Sequence, residues 1–417
     1  MSHYTSNTYQ MKREILTFSN KISKKLSKPD RKFSADMIYG LLASQSCLLT
    51  DIVDQLHEPI QKVNSVERLT NHLKKGISKT SLSNYLRLVS TWVPQDPIIY
   101  IDDSDIVKPN GWKFEALGLV RDGSKSTTTK SVYEKGYHVT EACVLTKKNH
   151  PVSFFSNVHS SKEKNFTSIN DITFSAIERA TVLFPTATFV LDRGYDDNKI
   201  FLKLEELKQK YVIRLTTRRK LFFHGNWVTA TRLGAQRKGK IKTSVFYKGK
   251  QQDVYLSHVK VQITASKQPI TLVLVYGLKE QPMMLASNQP IHSKEDVIKI
   301  ALLYFSRWKI EEYFRSKKQL FQWENFRVRT LLAINCLNFY ITSCMAFLAH
   351  ISMKSETNAL KSTILTQANG IKKKIVFWYY RIAKGIARIL SYAKEGVRLW
   401  FRTKRPKYQQ LRLTLIL

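Results

Sequence analysis

Three short stretches of the chain place carboxylates where metal-dependent or acid–base chemistry would need them. YIDDSD carries Asp102, Asp103 and Asp105 at the exit of a short apolar run. LDRGYDD carries Asp192 directly after FVL, with Asp196 and Asp197 beyond Gly194. YFSRWKIEEYFRSKK carries Tyr304, Arg307, Glu311 and Lys318 at increments of three, four and seven. Carboxylate oxygens are hard ligands that suit Mg²⁺ or Mn²⁺. Along a strand, residues 103 and 105 share one side and residue 102 takes the other, and this alternation does not rank Asp103 against Asp105. Asp192 is the better ligand of its group because a strand fixes it, whereas Asp197 suits the start of the following helix.

At about 100° per residue, Tyr304, Arg307, Glu311 and Lys318 fall within a sector of roughly 60° on one helix, and Glu312 lies about 100° away from Glu311. Arg307 can orient Glu311 one turn on, and Lys318 can reach a phosphate two turns further. A solvated face with a surface ion pair is the plainer account of the same spacing. Three carboxylates flanked by cations also supply what two-metal phosphodiester chemistry requires. Two ions about 3.5–4 Å apart activate the attacking oxygen and stabilise the departing one. Lys and Arg then neutralise charge in the transition state. Glycosidase-type catalysis needs only two carboxylates and gives no reason for the surrounding cations. No GxxxxGK[ST] phosphate loop supports ATP hydrolysis.

These residues need a scaffold to bring them together. PIIYID, GYHVTEACVLT, PVSFFSNVHS, ATFVL and YVIRL read as strands. Helical spacing follows from about Asn165 to Leu183 and from Asn198 to Lys210, an order that suits an α/β sheet. Residues 1–95 read as helical, with a basic stretch from Lys12 to Lys32, and fit a DNA-binding module or a packing domain. Between residues 216 and 290 the chain is strand-rich. A single helix is predicted from about Ser293 to Lys318. The uncharged LLAINCLNFYITSCMAFLA, Leu331 to Ala349, reads as a buried core helix rather than a membrane span. Residues 351–417 form a basic region with fifteen Lys or Arg against two acids, and its amphipathic pattern suits attachment to DNA.

Composition narrows the partner. The 417 residues hold 68 Lys plus Arg against 32 Asp plus Glu, a net +36, with 43% hydrophobic residues. Such a charge is relieved by a polyanion, of which nucleic acid is the commonest. Cys47, Cys143, Cys336 and Cys344 form no CxxC pair, the histidines form no HExxH site, and no secretory signal is visible at the start. A reducing, cytoplasmic and nucleoid-associated setting is the expectation.

With these residues in view, the chain resembles the bacterial insertion-sequence DDE transposases, the group marked by Y-x2-R-x3-E-x6-K. Tyr304, Arg307, Glu311 and Lys318 match that signature in type and interval. The resemblance covers about Ile98 to Phe347. It implies an α/β, ribonuclease-H-like catalytic core with a β-rich insertion, here in segments 96–215, 216–290 and 291–350. Asp103 in IDDSDIVKP, Asp192 in VLDRG and Glu311 would be the catalytic, metal-binding acids. Tyr304, Arg307, Lys318 and Arg214 in YVIRL would contact DNA, while Trp308 and Trp323 would pack. Some relatives stack a flipped base on a Trp of the last insertion strand. Met283 is the nearest local match here, and Trp227 a possible aromatic substitute. The activity implied is Mg²⁺-dependent cut-and-paste transposition, with Mn²⁺ able to substitute. A released 3′-hydroxyl forms and then leaves a hairpin before joining target DNA. Duplex DNA with terminal inverted repeats, target DNA and a dimer in the synaptic complex follow as expected partners. A purely hydrolytic nuclease of the same fold and a catalytically silent DNA-binding relic are the alternatives.

Overall fold

The computed structural model describes residues 2–123, 125–127, 129–266, 268–368 and 377–401. Five helices precede the first strand: α1 (Ser2–Ile22), α2 (Lys28–Ser44), α3 (Leu49–Leu56), α4 (Lys62–Leu73) and α5 (Lys79–Ser90). Ser27 and Ser78 start α2 and α5 by accepting from the N–H groups of Asp30 and Ser81, which satisfies donors a helix start leaves open. In α2 every residue from Phe33 to Leu42 is buried. It is a core helix buried all round in its middle, where the one charge, Asp36, is paired with Lys32 and Arg68.

The strands and helices that follow are β1 (Ile98–Val107), β2 (Gly118–Arg121), β3 (Tyr133–Leu145), β4 (Pro151–His159), α6 (Ile169–Leu183), β5 (Thr188–Leu191), α7 (Asn198–Glu206) and β6 (Lys210–Arg214). Strand β3 runs antiparallel to both β1 and β4, and β1, β5 and β6 are mutually parallel. The resulting order β4-β3-β1-β5-β6 is the ribonuclease-H-like arrangement. Ile99 to Ile101, Phe189 to Leu191 and Tyr211 to Ile213 are buried, as parallel strands covered on both faces require.

The β-rich stretch contains β7 (Lys220–Phe223), β8 (Asn226–Thr229), α8 (Ala230–Ala235), β9 (Ile241–Tyr247), β10 (Lys250–Val261), β11 (Ile270–Tyr276) and β12 (Met283–Ser287). It does not stand apart from the core. Strand β12 pairs antiparallel with β6, setting Leu285 opposite Arg214, and the sheet continues through β11, β10 and β9. Among the described residues, β7 and β8 alone form a separate two-stranded hairpin. Within this stretch WVTATRL is half strand and half helix, because Thr229 caps α8 by accepting from Arg232 N–H.

Helices α9 (Lys294–Phe305), α10 (Trp308–Leu320) and α11 (Leu331–Met353) cross the sheet, followed by α12 (Ala359–Gln367) and α13 (Tyr379–Leu390). The single helix predicted from Ser293 to Lys318 is thus divided at Ser306 and Arg307. There Ser306 Oγ donates to the Leu303 carbonyl and pairs with the Tyr100 hydroxyl at 2.6 Å, and such side-chain competition tightens or bends a helix. Helix α11 is long and apolar enough to cross a membrane by length and composition, yet it is buried in the protein. Several of its polar groups find partners there: Asn335 bonds the Val158 backbone, and the Asn338 amide N–H donates to the Ser156 hydroxyl.

The N-terminal helices share this core. Ser34 Oγ lies 3.0 Å from the Tyr340 hydroxyl, and the Tyr85 hydroxyl donates to the Ser153 carbonyl. The apolar stripe of α13 is also used internally, with Ile382, Ile386 and Ile389 buried and the Tyr379 hydroxyl donating to the Pro151 carbonyl. Of the basic region, residues 369–376 and 402–417 lie outside the described residues.

Candidate active site

Strand β1 delivers its acids to both faces of the sheet. The β1–β3 register sets Asp102 opposite Glu141 and Asp103 opposite Thr140, so the two neighbours face opposite sides. Asp102 faces the joint between α9 and α10, where its Oδ2 accepts from Arg307 Nη1 at 3.0 Å. Asp103 is held on the other face, its Oδ1 accepting from the Thr140 hydroxyl at 2.5 Å and its Oδ2 from the Tyr195 hydroxyl at 2.8 Å. Asp102, and not Asp103, is thus the β1 acid in contact with the guanidinium that Asp192 and Glu311 approach, while both oxygens of Asp103 accept hydrogen bonds from Thr140 and Tyr195. Asp105 pairs with His138 Nδ1 at 2.8 Å. Nothing in YIDDSD signals which side the helices cover, because only the packing of α9 and α10 on the sheet decides it.

Asp192 follows β5 directly and opens a short 3₁₀ turn, Arg193–Tyr195. Its Oδ1 accepts from the Tyr304 hydroxyl at 2.8 Å and lies 3.8 Å from Arg214 Nη1, while its Oδ2 lies 3.8 Å from Arg307 Nη2. Asp197 caps α7 by accepting from Lys199 N–H at 2.7 Å. Asp196 bonds the Thr216 N–H and hydroxyl, a tie between turn and sheet. Glu311, one turn into α10, bonds Arg307 Nη2. Arg307 thus stands among three carboxylates, those of Asp102, Asp192 and Glu311, with 11% of its side chain exposed.

The electrostatics follow from this arrangement. Burial, with the neighbouring charges of Asp103 and Asp192, pushes the Asp102 carboxyl up to about 7 despite Arg307. Burial acts the same way on Asp192, but Arg307, the Arg193 N–H, Tyr304 and Arg214 outweigh it and hold that carboxyl below its ordinary value. Burial and the nearby Asp192 carboxylate raise the Tyr304 hydroxyl to about 12. Burial disfavours the Arg307 cation, and Asp102 and Asp192 more than offset that.

Beside the carboxylates lies a cavity of about 800 Å³, with Asp192, Arg214, Met283, Tyr304, Arg307 and Glu311 in its lining. Phe246 of β9 and Trp308 of α10 also line it, their rings 5.9 Å apart. Trp308, expected to pack, is only partly buried, whereas Trp323 is fully buried. Trp227 is half exposed and pairs with Phe222 on the β7–β8 hairpin, so Phe246 and Tyr247 of β9 are the cavity's aromatic contribution from the β-rich segment. Two aromatics at the end of a strand carry no distinguishing pattern.

Lys318 is not among the residues that line this cavity. Its Nζ donates to the Asp105 carbonyl and pairs with Glu324 at 3.0 Å. The neighbouring Lys317 is wholly buried and pairs with Glu141 at 2.8 Å. Adjacent lysines on a helix differ by about 100° in direction, and only the packing of α10 on β3 shows which one turns inward.

The donors suit a hard divalent cation, since they are carboxylates. The raised Asp102 carboxyl reflects its burial first, with the charges of Asp103 and Asp192 adding to it. The donors' present spacing suits a cation less well. Among the described residues no three of His, Cys, Asp and Glu are grouped to hold a metal ion, and Arg307 lies between the acids. A comparison with curated proteins finds no match. Residues 94–347, well over half of the chain and the stretch bearing every carboxylate of this cluster, match the family described as Transposase DDE domain, and the chain belongs to that family.

Proposed function

We propose that this protein cuts DNA at the ends of a mobile element and joins the freed ends to target DNA by a cut-and-paste route. The observation that carries this reading is the convergence of Asp102, Asp192 and Glu311 on one guanidinium, beside a cavity with basic and aromatic lining. Those three acids would hold Mg²⁺, with Mn²⁺ as a substitute. When bound, such a cation lowers the pKa of a water or 3′-hydroxyl and offsets charge on the phosphate under attack.

The protein's own residues orient the reactants. Tyr304 fixes Asp192 through its hydroxyl, and Arg214, at the end of β6, presents a cation at the cavity wall for a DNA phosphate. Partly buried donors of this kind stabilise developing charge without having to reorganise. Two copies of the chain would hold the paired ends, since both ends must join one target.

The test is incubation of the purified protein with duplexes bearing the element's terminal repeats, in Mg²⁺ or Mn²⁺. Nicked, hairpin and joined products are expected, and D192N and E311Q should reduce them by more than about a hundredfold while DNA is still bound. Cleavage without hairpins or joined products would point to a hydrolytic nuclease. Binding with no metal-dependent cleavage would point to a silent relic.

A further inference from the structure

The guanidinium of Arg307 occupies the region that the three carboxylates share. Its Nη1 is 3.0 Å from Asp102, and its Nη2 bonds Glu311 and lies 3.8 Å from Asp192. A planar fork of N–H donors saturates carboxylate oxygens along the same directions a hard cation would use. The two positive charges also repel at such short range, and more strongly where water is scarce.

Arg307 also lines the open cavity, together with Arg214 and Lys248. Turned outward from the acids, its side chain would meet the cations Arg214, Lys248 and Arg315, with the one further carboxylate of the lining, Glu312, already paired to Arg315, unless an anion lay there. A DNA phosphate in that cavity would supply the anion and accept a bidentate pair from the guanidinium.

We propose that Arg307 is a latch: it holds the three acids closed to divalent metal until a DNA phosphate draws its guanidinium away. The inference rests on the metal-binding role given above to Asp102, Asp192 and Glu311. It makes metal loading and DNA binding reciprocal, each tightening the other. It also keeps the phosphodiester chemistry off until substrate is in place.

Mn²⁺ binding to the full chain, followed by the loss of the free-ion electron paramagnetic resonance signal, tests the latch without reading activity. Four proteins are compared: wild type, R307Q, R307K and a D102N/D192N/E311Q variant, each with and without a short duplex. The triple variant with duplex subtracts ions held by the DNA itself. If the latch is open in about a tenth of molecules or fewer, DNA-free affinity for Mn²⁺ is lowered by roughly tenfold or more. R307Q should then bind Mn²⁺ at least about tenfold more tightly than wild type without DNA, with R307K between them. Duplex should tighten wild type by a similar factor and R307Q hardly at all. The wild-type arms, with and without duplex, need no substitution to fold, and equal Mn²⁺ affinity in those two arms overturns the latch. So does equal affinity of wild type and folded R307Q without DNA. If the triple variant binds Mn²⁺ as wild type does, the metal role of the acids fails and the latch falls with it. If the acids matter and Arg307 does not, only the latch falls.

Discussion

Asp102 carries an electrostatic burden that its neighbours only partly relieve. Its carboxyl titrates near 7 in the folded protein, with burial the leading cause, against about 3.9 in an unfolded chain. Between those values the folded state binds the extra proton, so stability falls as pH rises from about 4 to about 7 and then levels. The asparagine variant lacks this contribution. Thermal unfolding of wild type and D102N across that range should show wild type losing ground by up to about 4 kcal/mol. Parallel profiles would contradict the burial argument. At this scale the sequence was partly legible. The mutual approach of Asp192, Glu311, Tyr304 and Arg307 was readable because strand ends and helical spacing constrain where they point. The choice between Asp102 and Asp103 was not, since successive strand residues face opposite ways and no local signal says which face α9 and α10 cover.

The elements that hold these residues are themselves fixed by buried polar ties. Lys317 on α10 donates to both Glu141 oxygens, at 3.1 and 2.8 Å, to Ser156 at 3.2 Å and to Thr342 at 2.9 Å. Both partners are fully buried, and Glu141 lies directly across the sheet from Asp102. The pair therefore fastens the helix of Glu311 to the strand beside Asp102. Removing one partner leaves an uncompensated buried charge, so K317M should lower unfolding free energy by about 3–5 kcal/mol, and E141L/K317M should recover much of it. Denaturant unfolding reads both, and a K317M effect under about 1 kcal/mol would show that the tie bears little of the packing. Strand and helix positions here were largely legible from apolar runs and spacing. The break at Ser306 was hidden, because its cause is a contact with Tyr100, 206 residues away in sequence. The continuation of the sheet from β6 into β12 was equally hidden, since pairing partners are not encoded locally.

Across the whole molecule a net charge of +36 surrounds a continuous core that joins the N-terminal helices, the sheet, α11 and α13. The charge was legible from composition. The sharing of one core by segments predicted as separate was not, because burial of α2 depends on α11 folding against it. For a protein that neutralises many phosphates, affinity falls steeply with salt, each neutralised phosphate adding about 0.9 to the log–log slope. R214A should reduce that slope by about one and weaken binding across sequences, as fluorescence titration with duplex at several salt concentrations would show. An unchanged slope would remove Arg214 from the DNA path.

We propose that Asp102, rather than Asp103, shares a catalytic centre with Asp192 and Glu311. Cleavage of a terminal-repeat duplex in Mn²⁺ by D102N and D103N, side by side, decides between the two aspartates. D102N should lose more than about a hundredfold in rate, while D103N, altered only at its bonds to Thr140 and Tyr195, should stay within roughly tenfold of wild type. The reverse order, with D103N inactive and D102N competent, would contradict it.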